Sequence, residues 1–179
     1  LARVTDAADL APTDLRVRRA HTYADLVRAG ELEEARAMVE TLAHDAAGAP
    51  EDPALARELA VAIASGLEHA PGLAGGHPRR ILDQLQAALR TTQAPDGTFG
   101  DVYDTALGLE ALHATGLPIF HSALRRARHA LVRAEETTGL GDPRTVAIVA
   151  RALLATEAPH VDLVERALAS LEEAVLLGP

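Results

Sequence analysis

Two acidic residues and a tyrosine cluster where one helix is predicted to begin. Asp101, Tyr103 and Asp104 follow the turn QAPDGTFG and precede the apolar run TALGLEAL. A carboxylic acid in apolar surroundings, next to a like charge, keeps its proton at neutral pH and can deliver it to a substrate. A second interpretation needs no chemistry: Asp104 caps the helix, Asp101 belongs to the turn, and Tyr103 packs. The residues alone are compatible with both.

A second candidate pair lies further along the same helix. Glu110 and His113 are three residues apart, so they can face each other as a general base with an orienting carboxylate, or as an ordinary surface pair. The remaining histidines lack the i, i+4 spacing of a zinc helix, and the chain has no cysteine and no lysine. We therefore expect no metal, no cofactor, no thiol nucleophile and no Schiff base.

The amino-acid composition limits the classes of partner that this protein can bind. The formal net charge of −9 opposes binding to nucleic acid or to anionic membranes. Local arginine clusters, one of which comprises Arg125, Arg126 and Arg128, are interpreted as solvated helix faces rather than as phosphate sites, because acidic residues surround them. No apolar run approaches the length of a membrane span, so we expect a cytoplasmic protein without one. The excess of Ala and Arg is typical of a GC-rich bacterial genome.

Start and stop signals predict an all-α chain. Residues 1–20 lack sustained periodicity and are assigned to an N-terminal arm, whereas residues 21–179 are expected to form a helical-repeat domain, either whole or part of a larger one. Thr22 with Asp25 resembles a capping box that opens a helix to about Gly48. The later helices are expected at about 52–69, 78–93, 104–115, 122–137, 146–156 and 161–176.

These helices form an internal repeat of about forty residues. A shift of forty-one places Ala106 on Ala147 and Leu107 on Ile148, and it also superposes the ends of the two helices. Each unit is an amphipathic helix, a glycine turn and an almost wholly apolar helix, which predicts an outer and an inner layer. Gly108 is expected to allow a neighbour to approach closely.

The turn Q93-A-P-D-G97-T-F99 with T105-A-L-G-L-E-A-L resembles the repeat of the terpenoid-cyclase and protein-prenyltransferase α/α-toroid superfamily. The resemblance implies α-hairpin repeats that form a partial or small α/α toroid. In class II cyclases the segment equivalent to residues 101–106 supplies the acid, but Tyr103 stands where the family has its proton-donating Asp. Asp101 or Asp104 would have to replace it. The zinc site of the prenyltransferases needs a Cys, which this chain lacks.

Two functions follow as hypotheses. The first is a terpene-cyclase-like protein that holds an apolar isoprenoid or polyene ligand in a central cavity, with acid-assisted cyclisation or isomerisation as its chemistry. The scarcity of aromatic residues, 2% of the chain, opposes the stabilisation of migrating carbocations. The alternative is a noncatalytic helical-repeat module that binds a protein or completes a barrel. The last predicted helix has no second helix to pair with, and its apolar residues, Leu168, Leu171, Val175 and Leu176, suggest a homodimer or a partner domain.

Overall fold

The computed structural model confirms an all-α fold. It describes residues 12–47, 52–69, 77–156, 162 and 164–169, and no strand occurs among them. Seven helices have defined bounds: α1 Pro12–Ala29, α2 Leu32–Ala47, α3 Pro53–His69, α4 His77–Thr92, α5 Val102–Ala114, α6 Ser122–Thr138 and α7 Pro143–Ala155. In the described part of the chain, no helix combines the length and the hydrophobicity needed to cross a bilayer.

The chain packs as two compact units, residues 1–89 and 90–179, and the boundary falls within α4. The predicted boundary between an arm of residues 1–20 and a domain of residues 21–179 falls inside α1. This helix begins at Pro12, because a proline in the first turn gives up no helical hydrogen bond. Residues 1–11 of the predicted arm lie outside the described residues.

In the first unit α1 packs against α2 and α3. Tyr23 of α1 and Leu59 and Ile63 of α3 are fully buried there. A Cβ atom at Gly66 would lie 2.6 Å from the Tyr23 ring, so the glycine allows α3 to approach this ring closely.

Gly30 divides the predicted helix of residues 22–48 into two. Its φ of 81° ends α1, and two hydrogen bonds close the turn: Gly30 N–H to Val27 C=O at 3.1 Å and Glu31 N–H to Leu26 C=O at 2.9 Å. This bonding pattern is a Schellman motif, which stops a helix where glycine adopts a left-handed conformation. The predicted capping box is wrong, because Thr22 lies within α1 and its hydroxyl donates to Arg18 C=O.

In the second unit α5 packs against both α6 and α7. The predicted offset of forty-one residues is present in the structure. Asp101 caps the N-terminus of α5 and Asp142 that of α7, both helices have 13 residues, and their C-cap residues are Thr115 and Thr156. The predicted C-terminal helix is seen over residues 164–169, where Leu168 is exposed, whereas Leu171, Val175 and Leu176 lie outside the described residues.

The turn between α4 and α5 is fastened to α6 by a buried glutamine. The Gln93 amide donates to Ala123 C=O at 2.9 Å and to Gly97 C=O at 3.2 Å, and its oxygen accepts from Arg126 at 2.8 Å. Gly97 has a φ of 98°, and a Cβ atom there would collide with the Arg126 backbone. The Gln-x-x-x-Gly spacing is therefore explained by packing between the turn and α6.

Candidate functional site

The N-terminus of α5 uses Asp101 as its cap. Its carboxylate accepts the backbone N–H of Asp104 at 2.8 Å, and its carbonyl accepts the Thr105 hydroxyl at 2.7 Å. Asp104, the predicted cap, lies instead in the first turn of α5. A negative charge there interacts favourably with the positive end of the helix dipole. The Asp101 side chain is exposed, whereas the proton-donor hypothesis needs apolar surroundings. The geometry at Asp101 is that of a cap, and the acid role of Asp101 or Asp104 stays a prediction.

Tyr103 contacts an arginine of α7. The Arg144 guanidinium donates to the Tyr103 hydroxyl at 3.1 Å, and its Cζ lies 5.1 Å from the centroid of the Tyr103 ring. The contact combines a hydrogen bond with a cation–π interaction. Tyr103 therefore joins α5 to α7.

Glu110 also binds an arginine of α7. One of its carboxylate oxygens lies 2.6 Å from Arg151 Nη2, and its side chain is 16% exposed. His113, the predicted partner of Glu110, has a buried Nδ1 atom without a hydrogen-bond partner among the described residues. The carboxylate of Glu110 is thus directed to α7 by a contact that spacing along α5 could not show.

These two contacts define the relative orientation and register of α5 and α7. Tyr103 and Glu110 are seven residues apart, and so are their partners Arg144 and Arg151. The two helices therefore run parallel and in register, and positions related by the repeat are neighbours. We call the surface that they share the α5–α7 face.

The α5–α7 face alternates polar pairs with aliphatic residues. Half-buried Leu107 lies between Tyr103 and Glu110 on α5, and half-buried Ile148 lies between Arg144 and Arg151 on α7. Beyond the second pair comes Leu154, which is 59% exposed. The face is thus an aliphatic stripe interrupted by a tyrosine–arginine pair and an ion pair.

Sequence reasoning missed Arg144 and Arg151. The signal was present in the repeat, because the same shift that places Leu107 on Ile148 places Tyr103 on Arg144 and Glu110 on Arg151. Equivalent helices of stacked repeats lie side by side, so residues that the repeat makes equivalent can bind each other.

A second polar feature is a cleft of about 630 Å³ beside α6, which we call the α6 cleft. Its lining residues come from the turn before α5 and from α6: Pro95, Asp96, Arg125, Arg126, His129 and Arg133. The four α6 side chains are exposed, which agrees with the predicted solvated helix face for Arg125 and Arg126.

Arg128, the third member of the predicted arginine cluster, is buried rather than solvated. Its guanidinium donates to Ile119 C=O at 2.6 Å and to Thr156 C=O at 3.3 Å, so it ties the α5–α6 loop to the end of α7. Burial, with the nearby charge of Arg125, lowers the pKa of Arg128. The backbone carbonyls that offset this burial belong to the loop before α6, nine residues away, and to the end of α7, 28 residues away.

Among the described residues, no group of three or more His, Asp or Glu side chains could hold a metal ion. Comparisons with protein-family models, with curated proteins and with solved structures find no match to this chain. The resemblance to the α/α-toroid superfamily therefore rests on the residues of its repeat.

Proposed function

We propose that this protein is a noncatalytic helical-repeat module and that its α5–α7 face binds a further helical segment, from a partner or from a second copy. The observation that carries the proposal is the parallel, in-register contact of α5 with α7 through Tyr103–Arg144 and Glu110–Arg151. Repeats of this kind each leave a face that only the next helical element covers.

The chemistry of the face supports a helical occupant. It carries two half-buried aliphatic residues, Leu107 and Ile148, and the exposed Leu154, with polar pairs between them, and such a surface can pack against the apolar stripe of an amphipathic helix. A helix that packed its own stripe against Leu107, Ile148 and Leu154 would remove these side chains from water at about 25 cal/mol per Å² of apolar area. Arg144, whose contact is with the neutral Tyr103 hydroxyl, would help to give such a complex its register, because its charge can attract a carboxylate on the incoming helix.

The positions of the candidate catalytic residues favour binding over catalysis. Asp101 is engaged as a cap, Tyr103 with Arg144, and Glu110 with Arg151. A proton donor must be able to turn its acid toward a substrate, whereas these groups are held by contacts that also hold the fold.

An apolar isoprenoid or polyene ligand, bound in the cavity of a partial or small α/α toroid, is the second candidate. The aliphatic stripe of Leu107, Ile148 and Leu154 favours it, since these side chains suit a hydrocarbon chain as well as a helix. Acid-assisted cyclisation or isomerisation would then depend on Asp101 or Asp104.

One pair of matched variants distinguishes these functions. Leu154→Glu places a charge on the α5–α7 face, and Leu168→Glu makes the same change on the helical segment of residues 164–169. Both leucines are exposed, at 59% and 46%, so neither change should disturb the core. Native mass spectrometry and sedimentation of protein purified from the producing cells then measure assembly mass and bound molecules for the wild type and both variants.

We expect an assembly that Leu154→Glu weakens and Leu168→Glu leaves intact, with hydrogen-exchange protection of α5 and α7 in the complex. The reverse pattern would move the interface to the C-terminal segment and contradict the proposed face. A bound apolar molecule that only Leu154→Glu expels would establish the second candidate instead. A wild-type monomer at high concentration, with nothing bound, would refute both.

A further inference from the structure

The α6 cleft concentrates positive charge in a protein that is acidic overall. Three arginines, Arg125, Arg126 and Arg133, line it together with His129, and Asp96 is the one acidic residue among the described residues that line it. Its volume of about 630 Å³ lies within the range of small-molecule sites, roughly 300–1,000 Å³. The cleft is therefore large enough for a small molecule and has the charge to select an anionic one.

Two of these arginines are held in place by neutral oxygens. Arg126 Nη2 donates to the amide oxygen of Gln93 at 2.8 Å, and Arg133 Nη2 donates to the carbonyl oxygen of Asp96 at 2.7 Å. By contrast, Arg151 and Arg166 contact carboxylates, at 2.6 and 2.9 Å. A neutral acceptor orients a guanidinium without cancelling its charge, so Arg126 and Arg133 are positioned yet keep their attraction for an anion.

The single carboxylate of the cleft offsets only part of this charge. Asp96 accepts the backbone N–H of Thr98 at 3.0 Å and its hydroxyl at 2.8 Å. These hydrogen bonds, assisted by the charge of Arg133, lower the pKa of Asp96. The carboxylate is thus ionised and bound within its own turn, and three guanidinium groups face one negative charge.

We infer that the α6 cleft binds a small phosphorylated molecule. Guanidinium groups recognise phosphate oxygens through paired N–H donors. A phosphate monoester carries about −1.5 to −2 charges at neutral pH, which matches the excess of positive charge in the cleft. A nucleic acid fits less well, because the net charge of −9 repels a polyanion beyond the cleft and no aromatic ring lines it for base stacking.

The site does not depend on the proposed function, since it lies on α6 and on the turn before α5 rather than on the α5–α7 face. Binding is measured by calorimetry and by NMR titration of the folded full chain, with pyrophosphate and inorganic phosphate as probes. Citrate serves as a polycarboxylate of comparable charge.

Arg125→Gln is the informative variant. Arg125 is exposed, so its replacement removes a charge from the cleft without opening the core. Arg79→Gln is the matched control, because Arg79 is an exposed arginine of α4 that pairs with Asp83. Far-UV circular dichroism and thermal unfolding verify that both variants are folded.

We expect pyrophosphate to bind, Arg125→Gln to weaken it about tenfold, and Arg79→Gln to leave it unchanged, since a charged hydrogen bond contributes about that factor. The perturbed NMR signals should map to α6 and to the turn of residues 93–99. Absence of phosphate binding to the folded wild type at millimolar concentration and low salt would overturn the inference. Equal losses in both variants, or citrate binding as tightly as pyrophosphate, would also overturn it.

Discussion

Replacing Gly108 by Ala places a methyl group against the ring of Phe99. Gly108 lies in the middle of α5, and a Cβ atom there would be 2.5 Å from Phe99 Cδ2 and 2.8 Å from Phe99 Cε2. Such distances are well inside van der Waals contact, and the nearest ring atoms include Cγ, which cannot move without the rest of the side chain. The ring or the helix must therefore shift.

Two effects of this substitution oppose each other. Ala is better than Gly in a helix interior by about 1 kcal/mol, because Gly loses more backbone entropy on folding. Overpacking a filled site costs about 1–3 kcal/mol. We expect the clash to win, so that Gly108→Ala lowers the free energy of unfolding by about 1 kcal/mol.

Gly108→Ala should instead raise the free energy of unfolding when the Phe99 ring is absent. In a Phe99→Ala background the new methyl group has room, and the helix-propensity gain of about 1 kcal/mol remains. The double-mutant cycle should therefore give a coupling free energy of about 2 kcal/mol between positions 99 and 108. Urea unfolding can be monitored by circular dichroism at 222 nm, a helix signal that does not depend on tryptophan, which this chain lacks. A stabilising Gly108→Ala, or the same change in both backgrounds, would refute the packing argument.

Two further substitutions test buried polar groups. The Tyr23 hydroxyl is buried without a hydrogen-bond partner among the described residues, so Tyr23→Phe should leave the free energy of unfolding unchanged or raise it by up to about 1 kcal/mol. Burial raises the Tyr23 pKa, so the folded state disfavours the ionised phenol, and the free energy of unfolding is constant in this respect below pH about 10 and falls as pH rises further. Urea midpoints should therefore fall more steeply above pH 10 in the wild type than in Tyr23→Phe, and parallel curves would contradict this. Gln93→Ala should cost about 2–3 kcal/mol in urea unfolding, since it removes three hydrogen bonds of a buried side chain. A loss below about 0.5 kcal/mol would contradict the role of this side chain in holding the turn on α6.

Local signals predicted most of the helices. Asp52 followed by Pro53 correctly marks the start of α3, and the Leu55 N–H donates to the Asp52 carboxylate. Asp142 followed by Pro143 gives the same signal, and α7 begins at this proline, three residues before the predicted start at Val146. These signals succeed because a cap and its helix are neighbours in the chain, so their hydrogen bonds need no tertiary contact.

The start of α5 could not be predicted as well. Asp101 and Asp104 are equally suitable caps by residue type, and the choice depends on which of them has extended backbone angles. Asp101 has a ψ of −175°, and the Phe99 N–H and the Asp101 carbonyl both bind Thr105. This network, together with Phe99 packed on Gly108, determines where the helix begins.

The sequence by itself determined an all-α chain with a repeat offset of forty-one residues, because helix periodicity, caps and glycine stops act over a few residues. Only the tertiary structure decided the partners of the chemical groups: Glu110 binds Arg151 rather than His113, and Arg128 is buried rather than solvated. The physical reason is distance along the chain. A carboxylate or a guanidinium binds whichever group packing brings within about 3 Å, and that packing joins residues tens of positions apart.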